Sequence, residues 1–148
     1  MRTRLRTLHI GEWTYTWRAA IGQVDGDGAD SHRCVRVRAW GAGKNGRALE
    51  ADLLSKAMSV GWTPAATDGS YPEPADVRFL IVRALALGWD PGALGGTFRL
   101  TEEHEVELPG FLLTDRVRDA GARDPSARVA QANDRREGMD PGGPGQLR

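Results

Sequence analysis

Apolar and polar positions alternate most clearly between residues 13 and 54. Trp13, Tyr15, Trp17, Ala19 and Ile21 share one side of an extended segment, while Thr14, Thr16 and Arg18 share the other. A period of two in residues of high strand propensity predicts a half-buried strand. Val35, Val37 and Ala39 alternate in the same way with Cys34, Arg36, Arg38 and Trp40. A third segment reads two ways. Leu49, Leu53, Ala57 and Met58 keep helical spacing, while Leu49, Ala51 and Leu53 alternate with Glu50 and Asp52.

Register favours a strand over residues 47–54. With residues 41–46 as a hairpin loop, Arg38 faces Glu50, Arg36 faces Asp52, Val37 faces Ala51 and Val35 faces Leu53. Opposed charges and opposed aliphatics each contribute about 0.2–1 kcal/mol, and a slip of one residue would lose the whole set. The same construction across residues 23–32 sets Trp17 opposite Val37 but also Arg18 opposite Arg36, an unfavourable pair that argues for a different register there.

Residues 61–74 carry Gly61, Pro64, Gly69, Pro72 and Pro74 and read as a loop. A helix follows. Pro74 suits a first turn, Asp76 complements the positive end of the dipole, and Val77, Leu80, Ile81, Ala84 and Leu85 recur at helical spacing until Gly88 and Pro91 end the run. Phe79, Val82 and Ala86 lie on the opposite side, so this helix is apolar nearly all round and needs cover on more than one side. Thr97–Leu100 and Leu108–Thr114 read as two more short strands. The expected fold is α+β: a mainly antiparallel sheet of about five strands, in the order β-β-β-α-β-β, with one long helix packed on it. Residues 1–12 read as a basic N-terminal segment and 13–114 as the single domain. Residues 115–148, poor in large apolar side chains and ending in Gly and Pro, read as a disordered tail.

Composition narrows the function classes. The 148 residues fit one domain, and 20 basic against 20 acidic residues leave no net charge to steer the chain towards nucleic acid or membrane. Such a partner would need a local patch. No apolar run is long enough for a membrane span or signal peptide, so the chain is expected in the cytoplasm. Cys34 is the only cysteine, which excludes an intrachain disulfide and a cysteine-based zinc cage. Only Lys44 and Lys56 are lysines among the 20 basic residues, as a GC-rich coding genome would give, and a bacterial source is expected.

Short motifs resembling known chemistry depart from it at decisive positions. The 40–46 stretch lacks the P-loop spacing, and Asn45 stands where Ser or Thr must follow Lys44. In Asp25–Asp30 a calcium loop would need Gly where Asp30 stands and Glu where Arg36 stands. His32 beside Cys34, and His104 among Glu102, Glu103 and Glu105, lack the spacing that would assemble a catalytic or metal set. The sequence therefore points to no catalytic residue, metal or cofactor, and to a binding protein.

Two surfaces qualify. The Phe79, Val82 and Ala86 stripe, extended by Trp62 and Trp89, is either core beneath Phe111–Leu113 or the 61–74 loop, or an interface for another protein. Protein contact, as an accessory, adaptor or inhibitor-like role, is the leading expectation. The alternative is nucleic acid held by Arg18, Arg36, Arg38 and Trp40 on the outer face of the sheet, where Glu50 and Asp52 would oppose it.

Overall fold

The computed structural model describes residues 4–28, 30–41, 45–57 and 68–138. The alternating segments form a meander of four strands: β1 (Arg6–Ile10), β2 (Trp13–Asp25), β3 (Ser31–Trp40) and β4 (Ala48–Ser55). Helix α1 (Pro74–Ala86) follows, then β5 (Thr97–Leu100), a single turn at Glu102–His104, β6 (Phe111–Leu113) and α2 (Pro125–Gly138). The fold is thus α+β with a mainly antiparallel sheet, but it holds six strands and two helices, not five and one.

The β3–β4 register matches the expected one at every pair: Arg38 with Glu50, Val37 with Ala51, Arg36 with Asp52 and Val35 with Leu53. Between β2 and β3 the partners are shifted by two, with Trp17 opposite Ala39 and Arg18 opposite Arg38. Like charges are still paired there; both guanidinium groups lie over the Trp40 ring, which gives each a π face to rest on.

Two elements correct the sequence reading. Residues 6–10, expected as part of a basic segment, pair with β2 through a two-residue turn in which Gly11 stands at φ 60°. A type II′ hairpin turn needs that sign at its first central position, and glycine takes it without steric cost. The 115–148 stretch, expected to be disordered, contains α2. Asp124 starts it, its Oδ1 accepting the Ser126 N–H at 3.1 Å, with Pro125 at the first helical position. Residues 139–148 lie outside those described.

Strand β4 is the centre of the sheet, and all eight of its residues are buried. One edge pairs with β3. The other is shared end to end: β5 runs parallel along Ala48–Ala51, and β6 runs antiparallel along Leu53–Ser55. A parallel neighbour requires a crossover, which the segment containing α1 supplies. On one face, Val77, Leu80, Ile81 and Ala84 of α1 pack with Tyr15, Trp17, Val35, Val37, Leu49 and Leu53 in the main core. On the other face, α2 lays Val129 and Ala132 over Val24, Cys34, Leu54 and Leu112. That second cluster covers only one end, so among the described residues the rest of the face, from Thr7 and Thr14 to Arg36, carries no helix.

Candidate functional site: an arginine-rich sheet face

The uncovered face gathers the residues that the alternation put there. β2 supplies Arg18, β3 supplies Arg36, Arg38 and Trp40, and β4 supplies Glu50 and Asp52, neighbours by register. Arg36 holds Asp52 in a two-pronged contact, Nε to Oδ1 at 2.6 Å and Nη2 to Oδ2 at 3.0 Å. Glu50 is the hub. Only 2% exposed, its carboxylate accepts hydrogen bonds from Arg38, from Arg99 Nε at 3.1 Å and from Arg118. Burial pushes its carboxyl pKa up, but the three guanidinium groups outweigh burial and hold it below the ordinary range.

Arg99 and Arg118 are the residues that sequence reasoning missed. Arg99 sits opposite Glu50 on β5, and Arg118 comes from the turn after β6, so their convergence is a product of tertiary structure. The expected neutralisation by Glu50 and Asp52 does occur, but the face holds five arginines instead of three, and four of them pair with these two carboxylates. Two adjoining clefts open here. The larger, about 480 Å³, is lined by Arg18, Arg36, Arg38, Trp40, Glu50 and Arg118 among others. The smaller, about 220 Å³, shares Glu50 and Arg118 and adds Arg99, Thr101, Thr114, Asp115 and Asp119. Desolvation, and the neighbouring Glu102 carboxylate, push the Asp115 pKa up.

The other candidate surface is split. Phe79 and Val82 are 46% and 47% exposed and Ala86 is exposed beside them, so the stripe is not buried beneath Phe111–Leu113. Trp89, expected as an interface anchor, belongs instead to the core: it packs on Tyr15 with ring centroids 6.0 Å apart and donates its ring N–H to the Arg47 carbonyl at 2.9 Å. Its position past the helix end, after Gly88, folds it back under the sheet. Trp62 lies outside the described residues.

The histidines and the cysteine have structural roles. His104 Nδ1 accepts the Thr101 N–H at 2.9 Å, and its ring stacks on Phe98. His32 Nε2 lies 2.8 Å from Ser126 Oγ and 3.2 Å from Asp30 Oδ2, which has the elements of a nucleophile and base. The hydrogen bonds argue otherwise. Ser126 gives its one hydroxyl hydrogen to Asp30, so the hydrogen between serine and imidazole belongs to His32, which cannot then act as base towards that hydroxyl. Gly26 also packs against Ser126 so closely that a Cβ there would collide with Oγ. The cluster fastens the β2–β3 loop to the start of α2, helped by the Asp27 N–H on Asp124 at 3.0 Å and by the Arg116–Asp27 ion pair. Cys34 lies beneath α2, where burial first and the Asp52 charge second push its thiol pKa up to about 12, leaving no useful thiolate at neutral pH.

Among the described residues no His, Cys, Asp or Glu group is arranged to hold a metal ion, and no helix is long and apolar enough to cross a membrane. A scan against protein-family models finds no match for the chain, and neither do searches of curated proteins and of solved structures.

Proposed function

We propose that the chain is a non-catalytic cytoplasmic binding protein whose ligand face is the arginine and tryptophan side of the sheet, and that the ligand is single-stranded nucleic acid. The observation that carries this reading is the ordered cluster itself. Arg18 and Arg38 stand 5.5 Å and 5.6 Å from the Trp40 ring centroid, and the buried Glu50 fixes Arg38 and Arg118 from behind. Guanidinium groups beside a half-buried aromatic at the surface hold phosphates and stack bases without reading sequence.

The test is fluorescence anisotropy with a labelled single-stranded oligonucleotide over a salt series. Affinity is expected to fall linearly with the logarithm of salt concentration, and Arg18→Ala to reduce that slope by about one. No binding even at low salt would remove the reading.

A second reading, contact with another protein, is favoured by the exposure of Phe79 and Val82 on α1. Both side chains are half in water, so Phe79→Asp with Val82→Asp should change stability by only about 0.5 kcal/mol per site. The pair is expected to abolish recovery of a stoichiometric, nuclease-resistant partner from lysate. Recovery of the same partner with the variant would eliminate the stripe as an interface.

A further inference from the structure

We propose that the larger cleft is a subsite for a phosphate monoester, the doubly charged group that a nucleic-acid strand carries only at a phosphorylated end. The strand as its source rests on the reading above; the subsite does not. Arg36 is matched by Asp52, which leaves Arg18, Arg38 and Arg118 facing one carboxylate, Glu50, an excess of two positive charges. An internal phosphodiester brings one negative charge, whereas a monoester brings about 1.5 to 2 at neutral pH.

Donor capacity agrees with charge. Each guanidinium has five N–H groups. Arg38 and Arg118 each reach Glu50 through one nitrogen, and Arg18 donates to no side chain among the described residues. Their remaining N–H groups are available to a group with several acceptor oxygens, and Glu50 orders two of the three guanidinium groups before any ligand arrives.

The surroundings favour a strand end over a strand running through. Beyond Arg36, α2 closes the face over Val24 and Cys34. Beyond Arg118, the smaller cleft is lined by Asp115 and Asp119, which repel a second phosphate. Past Trp40 the described residues of the face are polar, along Thr16, its register partner, and then the exposed Thr14 and Thr7. The cleft is thus bounded by α2 on one side and by carboxylates on another, which suits a terminal group.

The test uses the full chain and a short oligothymidylate of about ten nucleotides with a 5′-phosphate, a 3′-phosphate or hydroxyls at both ends. Thymidine monophosphate, thymidine and inorganic phosphate serve as competitors. One phosphorylated end is expected to bind about tenfold more tightly than the hydroxyl strand. Arg18→Ala and Arg118→Ala should each erase that difference, while Arg83→Ala, on the far side of the sheet in α1, should leave it; circular dichroism checks that each variant is folded. Equal affinity for all three strands overturns the subsite and spares the strand reading. Binding of thymidine monophosphate or inorganic phosphate, with no strand bound and no effect of thymidine, keeps the subsite and overturns the strand reading. Binding of none of these probes overturns both.

Discussion

Val129→Asp is expected to strip α2 from the sheet and turn Cys34 from an inert thiol into a reactive one. Helix α2 brings few apolar side chains to the sheet; among the described residues Val129 and Ala132 are its buried members of the cluster with Val24, Cys34, Leu54 and Leu112. A helix of this length is marginal in water without such packing. Burial of one valine contributes about 1.5–3 kcal/mol, and an unpaired carboxylate in its place costs several kcal/mol more. The main core on the opposite face does not include Val129, so the sheet and α1 should survive. With α2 gone, the main cause that lifts the Cys34 pKa to about 12 disappears. The thiol should return towards its ordinary value of about 8.5, and its labelling by a disulfide reagent at mildly alkaline pH should accelerate on the order of a hundredfold or more. Unchanged labelling with unchanged far-ultraviolet dichroism would mean that α2 is not what shields Cys34.

Glu50→Gln should be the next most damaging single change. Breaking a buried ion pair costs about 3–5 kcal/mol when the charge left behind stays buried. Here the arginine side chains left behind are 28%, 46% and 39% exposed and can turn to water, so a loss of about 2 kcal/mol at neutral pH is expected, read as a lower urea midpoint. The pH dependence identifies the cause. Because the folded Glu50 carboxyl titrates below its ordinary value, its contribution is complete above the unfolded value of about 4.3 and is lost as pH falls through the folded value. Glutamine resembles the protonated form, so the stability gap between wild type and variant should close on acidification below about pH 4. A gap that stays constant with pH would show that shape, not charge, makes Glu50 stabilising.

Much of the sheet was legible because its information is local. The pairs Arg38 with Glu50 and Val37 with Ala51 lie on strands joined by one short loop, and only one register satisfies both. Helix α1 announced itself by Pro74, Asp76 and the spacing from Val77 to Leu85. Strand β1 was hidden because Leu8 and Ile10, half-buried against the core, alternate with polar residues in a short run led by arginines; the Gly11–Glu12 turn was the available signal. Helix α2 was hidden because much of its attachment is polar: Arg128 to the Leu113 carbonyl, Asn133 to the Lys56 carbonyl at 3.0 Å and Arg135 to Glu107 at 3.3 Å. The Asp124–Pro125 pair was the clue to its start. The site was half legible. Strand alternation put Arg18, Arg36, Arg38 and Trp40 on one face, but nothing in the spacing of Arg99 and Arg118 foretells that they meet at Glu50.

The position of β4 between β3 on one side and β5 and β6 on the other has a dynamic consequence. A strand whose two edges are both occupied and whose eight residues are all buried has no cheap local opening, so its amide hydrogens exchange with solvent only when the whole domain unfolds. Strand β1, paired on one side, can fray by itself. Glu50 and Asp52 thus hang from the slowest-exchanging backbone in the molecule, and the arginines that lean on them inherit a fixed reference frame while their outer ends remain free to turn.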